Sequence, residues 1–350
     1  MSAGCGPDAE AVTRGLGFDC HDVSAVVSVR PPWELAHWTM PLLELLVVGG
    51  AVFALVHAIR RYRAGDPVNL ALWCASLVYL FVTEPPLYFP EWFGLDRVYG
   101  FIFAHNRFTV QFMADRLPLY IVAFYPAFSQ LAYEVVRSLG VFRRRGALTG
   151  SVAVAFVCQV FYEVFDQLGP QLKWWAWNPG NTIVNDPALA SVPMTSMVLF
   201  ASVSMAAMTY LVVRLAPRRG WPLALRILVA GVLTPPAMAI AGIPSGLAGE
   251  NFTARAWILG VELVLIWSVG AVVVGSSLRF PRDEPLPAFT RHYPAVYLGG
   301  LLVCWIAALP AYFAARDGVT PDGSGLYTLA CFAAAGLLLL ALTRKAPAAG

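Results

Sequence analysis

The feature that most restricts this chain is a series of apolar blocks separated by loops rich in arginine. Each block is close to the roughly 20 residues that a helix needs to cross a hydrocarbon core of about 30 Å. They lie near 38–59, 69–88, 117–136, 148–167, 192–213, 223–241, 255–276, 293–314 and 326–342. Nine such blocks predict an all-α, polytopic transmembrane bundle spanning 38–342, because a helix satisfies its own backbone groups where water is absent. Composition agrees: 58% of the 350 residues are hydrophobic and 13% are charged, against roughly 25% charged in soluble domains. Mean hydropathy is +0.64. Disordered, collagen-like and disulfide-scaffold chains are excluded on the same grounds.

The basic residues alternate with the blocks. Arg60, Arg61, Arg63, Arg137, Arg143, Arg144, Arg145, Arg214, Arg218, Arg219, Arg279, Arg282, Arg291, Arg344 and Lys345 fall on one side, fifteen of the 24. Arg14, Arg30, Arg97, Arg107, Arg116, Lys173, Arg255 and Arg316 fall on the other, and Arg226 lies within a block. An excess of Arg and Lys marks the cytoplasmic side, so the amino terminus is expected outside and residues 343–350 inside, in a multi-pass protein of the cell membrane. Sorting of this kind, with a net charge of only +3, gives no reason to invoke nucleic acid. Residues 1–37 have neither a basic start nor an apolar core; an acidic external tail is expected there, not a cleavable signal peptide.

Cys5 and Cys20 fall in that tail, where a disulfide is worth about 3 kcal/mol. The rival reading, a metal site at Cys20-His21 beside Asp19 and Asp22, lacks a spaced second ligand pair, so no metal is expected. Cys74, Cys158, Cys304 and Cys331 read as packing residues within blocks. His57 and His105 show no ligand spacing and read as single polar contacts or acid–base groups. Asn251-Phe252-Thr253 matches a glycosylation acceptor, and Pro235-Pro236 with Gly242-Ile243-Pro244 predicts a kinked or broken helix.

Carboxylates carry most of the chemical signal. Glu44, Glu84, Glu134, Glu163, Asp166 and Glu262 lie in or at the ends of blocks that contain no Lys. A charge at mid-membrane costs about 2.5–3.5 kcal/mol on insertion scales, so such acids are expected to be neutral or to face a polar cavity. Glu163 and Asp166, three residues apart, share one helix face and can divide into an acid and a base or share a proton. Taken singly, Glu44 and Glu134 read more simply as hydrated helix ends.

Two loops on the expected outer side, 89–116 and 168–191, are unusually aromatic. The first is expected to be a re-entrant or interfacial segment. Their rings either anchor helices at headgroup level or line an apolar pocket able to stabilise positive charge. Candidate catalytic residues are therefore Asp166, Glu163 and Glu84; candidate substrate-binding residues are Trp175, Trp177, Asn178, Tyr88, Trp92, His105 and Arg116. A phosphate-binding glycine loop, a nucleophile elbow and an aspartate-rich diphosphate motif are all missing from the sequence, which argues against an ATPase, a serine hydrolase and a diphosphate-dependent prenyltransferase.

Over about residues 80–200 the layout resembles the integral-membrane carotenoid hydratases, and more loosely small membrane-embedded terpene cyclases. The residues that carry it are Glu84 closing one helix, Arg116-Leu117-Pro118-Leu119-Tyr120 opening the next, Glu163-Val164-Phe165-Asp166, Trp174-Trp175-Ala176-Trp177-Asn178 and Val192-Pro193. The resemblance implies Glu84 and Asp166 as functional acids, Trp175 and Trp177 near the substrate, and hydration or cyclisation of an isoprenoid or carotenoid-like lipid without a cofactor. Pro85-Pro86 replaces the glycine-rich sequence that follows the first acid in that family, and nine spans exceed its usual number. The rival readings are a proton-coupled transporter or non-catalytic lipid-binding protein, and a structural partner in a membrane complex.

Overall fold

The structure is a computed structural model describing residues 5–31, 33–218, 220–281, 284–314 and 323–344. Expectations placed on Arg219, Arg282, Arg316, Lys345 and the rest of the carboxyl-terminal tail lie outside these residues. Among the described residues, nine helices are long and apolar enough to cross a membrane. They are α2 (Met40–Arg63), α3 (Val68–Tyr88), α5 (Leu119–Ser138), α6 (Val141–Asp166), α8 (Ser196–Leu215), α9 (Leu223–Leu247), α10 (Phe252–Ser277), α11 (Ala288–Ala314) and α12 (Gly325–Arg344). Helix α1 (Pro7–Leu16) and the single turns α4 (Asp96–Tyr99) and α7 (Thr182–Asn185) lie outside this set.

Every apolar block in the sequence coincides with one of these helices. Two departures from regular geometry are local. In α6, Gly146 has φ 80°, a left-handed conformation that breaks off the turn bearing Arg143, Arg144 and Arg145 and leaves the long helix to begin beyond it. In α8, the first residues, Ser196–Ser204, wind as a π-helix. By contrast, α9 continues as one helix through Pro235, Pro236 and Pro244, so these prolines do not break it.

Packing is centred on α5 and α6. Helix α5 lies against α2, α3 and α6, while α6 also meets α8, α10 and α12; α9 packs on α3 and α8. Helices α9, α10 and α12 turn large apolar side chains outward, among them Leu247, Trp257, Val264, Val272 and Leu337. An exposed belt of this size suits a hydrocarbon solvent rather than water.

Short turns at one end of the bundle carry the arginine clusters. There Arg61 Nη2 lies 2.7 Å from Asp66, while Arg61 and Arg137 reach Glu284 at 3.3 and 3.4 Å. Glu134 is fully buried just inside, 2.8 Å from Arg137 Nε and 3.3 Å from His57 Nε2, and it accepts hydrogen bonds from Asn69 Nδ2 and Thr290 Oγ1. Rather than being a hydrated helix end, it clasps α2, α3, α5 and α11 together, because a buried carboxylate needs partners on every side. His57 is one of those contacts.

The opposite end is covered by a cap. Strand β1 (Val27–Val29) pairs with β3 (Val110–Phe112), which pairs with β4 (Leu117–Pro118). Strand β2 (Phe103–His105) pairs antiparallel with β5 (Trp175–Trp177), and β6 (Ala188–Leu189) with β7 (Val192–Pro193). The 89–116 segment is therefore not a re-entrant helix: a 3₁₀ turn at Pro90–Phe93, the α4 turn and two strands fold over the bundle. Alternation of small and aromatic residues in Phe103-Ala104-His105 and Trp175-Ala176-Trp177 gives each strand one ring-bearing face, a period-two pattern that a helix cannot use. The amino-terminal segment is built into this cap: α1 packs on β2 and β5, and Cys5 and Cys20, whose pairing the sequence leaves open, form a disulfide beside Asp19 and His21. Glu44 accepts a hydrogen bond from the Thr109 hydroxyl and so ties α2 to the cap.

The close approach of α3 and α9 requires Gly231, where an added Cβ would sit 2.5 Å from Val78 Cβ and 2.9 Å from the Ala75 carbonyl oxygen. Gly231→Ala is expected to cost about 1–3 kcal/mol, read as a lower thermal midpoint in detergent. Gly246→Ala, where nothing lies within 4 Å, is the control and should melt with the parent.

Candidate functional site

Beneath the cap the helices splay around a cavity of about 580 Å³. Its walls come from the cap-side ends of six long helices: Glu84 and Leu87 of α3, Phe124 and Tyr125 of α5, Tyr162, Phe165 and Asp166 of α6, Ser196, Leu199 and Phe200 of α8, Ser245 and Gly246 of α9, and Phe252 and Arg255 of α10. Phe103 and His105 of β2 and Trp175 and Trp177 of β5 close the top. Rings meet edge to face or tilted, with centroids 5.3 Å apart for Phe103–Trp177 and 4.7 Å for Phe165–Trp175. Such contacts hold the lining in place and present π faces to the space inside.

Three carboxyl groups line this space: Glu84 and Asp166 from long helices, and Glu250 from the turn between α9 and α10. Glu84 comes from the last turn of α3 and accepts a hydrogen bond from the Tyr125 hydroxyl. Asp166 is the final residue of α6, with the Ser196 hydroxyl as a hydrogen-bonding neighbour; among the described residues its Oδ2 has no partner. That Glu84 and Asp166 share one cavity is a tertiary outcome. They lie far apart in the chain and face the same space because α3 and α6 run in opposite chain order to α2 and α5, placing both carboxyl-terminal ends under the cap.

Glu163 shares the α6 face with Asp166 but does not line the cavity. It is fully buried one turn deeper: Gln167 Nε2 donates to its Oε2 at 3.0 Å, while Oε1 is without a hydrogen-bond partner among the described residues. Gln167 in turn accepts from the Ser324 backbone N–H at 2.7 Å, which links this pair to the start of α12.

Of the ring and polar candidates, Trp175, Trp177 and His105 line the cavity, whereas Tyr88, Trp92, Asn178 and Arg116 do not. Tyr88 packs its ring on Phe103 and His105 from behind. Trp92 is exposed and stacks on Phe89, with centroids 4.0 Å apart. Arg116 lies over the Phe89 ring at 4.4 Å and donates to the Tyr88 carbonyl. Asn178 donates to the Phe101 carbonyl at 2.9 Å and accepts from Gly180 N–H at 3.0 Å. These four belong to the cap, Tyr88 and Trp92 through ring packing and Asn178 and Arg116 through hydrogen bonds to backbone, which residue type alone does not disclose. Glu44 and Glu262 also lie away from the cavity.

Tyr125, Tyr162, Ser196, Glu250 and Arg255 line the cavity without having been singled out in the sequence. The tyrosines sit in apolar blocks at the same level as Glu84 and Asp166, a signal that could have been read from their distance to the block ends. Ser196 and Arg255 carried none, since each looks like an ordinary helix-end residue.

His105 shows how the cap sets electrostatics. The Tyr120 hydroxyl donates to the Trp174 carbonyl at 3.0 Å, and His105 Nδ1 lies 3.0 Å from the same hydroxyl oxygen. Nδ1 therefore carries the ring proton, and Nε2 is left as an acceptor. Burial pushes the pKa of this ring down to about 3 from 6.5. The folded cap thus holds it neutral while an unfolded segment would protonate below 6.5, so its contribution to stability is full above that pH and is lost progressively towards about 3. Acidification through this window should open the cap, seen as faster amide exchange in 103–105 and 175–177. His105→Gln should flatten that part of the pH dependence; an unchanged profile would remove this role.

Comparison of the chain with protein-family models, with curated proteins and with solved structures gives no match.

Proposed function

We propose that the chain crosses the cell membrane nine times with the cap outside and the arginine-rich turns in the cytoplasm, and that its cavity binds an isoprenoid or carotenoid-like lipid and protonates one of its double bonds. The arginine asymmetry between the two ends supports the orientation. The observation that carries the chemistry is that Glu84 and Asp166 line one ring-walled space.

In this reading the neutral Asp166 carboxyl gives its proton to one alkene carbon. The π pair becomes the new C–H bond, leaving a cation on the neighbouring carbon and a carboxylate on the protein. The faces of Phe124, Tyr162, Phe165 and Trp175 shelter that cation. Water attacks it and returns a proton to the carboxylate, giving net hydration; alternatively a second double bond attacks and an adjacent C–H proton is returned, giving a ring. No electrons leave the substrate, so no redox cofactor takes part. Glu84, oriented by Tyr125, is the second proton acceptor on hand for the attacking water. Glu163, held behind Asp166 by Gln167, acts as a positioning residue and does not touch the substrate.

The lining comes wholly from the cap-side half of the bundle and the cap itself, and includes no residue of the arginine-rich end. This favours chemistry in place over proton-coupled passage of a solute across the bilayer.

Asp166→Asn and Glu84→Gln are expected to lower product at least 100-fold with unchanged protein yield in membranes. Mass spectrometry of lipid extracts reads the outcome as loss of a species heavier by one water or of a cyclised isomer. Undiminished product in both variants would overturn the mechanism.

A further inference from the structure

A second space lies against the cavity on the outward face of the bundle. It is a groove of about 790 Å³, bounded by Asp186 and Pro187 at the cap and continuing along α10 past Trp257, Gly260 and Val264 to Leu265. Phe252 borders both the groove and the cavity. Arg255 lies 5.7 Å above that ring and donates to the Ile183 carbonyl at 3.2 Å, fastening α10 to the cap beside it.

The groove's chemistry is graded along its length. Asp186 and Thr253 place polar groups at the cap end, and the wall from Ala256 to Leu265 is apolar. From Thr253 to Leu265 the helix rises about 18 Å, close to the half-thickness of about 15 Å of a bilayer core. A track that is polar at the interface, apolar through one leaflet, and parallel to the helix axes has the shape and polarity of a lipid tail. Trp257 and Val264 stand well exposed along it, as lipid-facing side chains do.

We propose that this groove is the entry and tail-binding track for a long-chain isoprenoid lipid, which passes from the bilayer beside Phe252 into the cavity. The proposal rests on the reading of the cavity as a lipid site and adds that the substrate arrives sideways from the membrane. It also assigns a substrate class: a chain longer than the cavity holds, with its unsaturated end among the acids and the remainder along α10.

Two glycines allow the spaces to be filled separately. At Gly260 an added Cβ would meet only Met194 Cε, at 3.9 Å, and at Gly246 it would meet nothing within 4 Å. The probe is a long-chain polyprenol bearing a diazirine, incorporated into phosphatidylcholine vesicles with the reconstituted full chain; labelled peptides are read by mass spectrometry. The parent is expected to carry label on both the α10 segment and the cavity segment around Phe124 and Tyr125. Gly260→Trp, and Val264→Trp as an exposed second variant, should lower both labels at least tenfold. Gly246→Leu should lose the cavity label and keep that on α10. Cavity labelling at the parental level in both tryptophan variants overturns sideways entry and leaves the cavity reading standing. A parent that is never labelled in the cavity overturns the cavity reading, and this proposal with it.

Discussion

Exclusion of water from the interior of a helix bundle governs the rest of this structure. Backbone groups are satisfied within each helix, so the side-chain polar groups decide where the bundle must be knitted and where it stays open. Glu134 is the fully knitted case: Arg137, His57, Asn69 and Thr290 surround it and join α2, α3, α5 and α11 at one end. Asp166 and Glu163 are the open case, each with an oxygen that no neighbour among the described residues satisfies. Leaving a buried acceptor unpaired costs on the order of 1–3 kcal/mol. Two such oxygens lie within one turn of α6.

The cap roofs that opening. Short strands and single turns would be unstable alone; here they are held by α1, by the Cys5–Cys20 bridge and by side chains such as Asn178 and Arg116 whose polar groups are spent on loop backbone. Buried His105, kept neutral by its surroundings, adds a polar atom to the cavity roof without adding charge. Rings from β2 and β5 then face the acids from above while Phe124, Tyr162 and Phe165 face them from the helices. In the proposed reading, a cation formed in this space would meet the π faces of these rings.

The helices α9 and α10 have a different character from the core pair α5 and α6. They are apolar on nearly all sides, and the glycines along them leave space rather than close contact at positions 246 and 260. Gly231 and Gly270 do the opposite: added side chains there would collide with α3 and α6. One residue type thus serves to bring helices together at some levels and to leave room between them at others. Only the partner helix determines which.

The nine apolar helices and the placement of basic residues between them were legible in the sequence, because length and hydropathy are properties of each segment taken alone. Acids at the ends of apolar blocks were legible too, since a carboxyl there is costly wherever the block packs; helix spacing singled out Glu163 with Asp166, and it was the family resemblance that joined Glu84 to Asp166. The shape of the loops was not legible: β2 finds β5 across a gap of some seventy residues, and of the re-entrant and interfacial alternatives for 89–116 that pairing removes a re-entrant helix. Nor could residue type separate Trp175, which lines the cavity, from Trp92, which stacks on Phe89 at the surface. Glu163 was correctly placed on the Asp166 face, yet the structure alone shows it one layer behind. Segment-level properties follow from transfer of a chain into an apolar medium, which each residue contributes to independently. Membership of a cavity depends on which distant surfaces are brought together, and that was decided only when the helices packed.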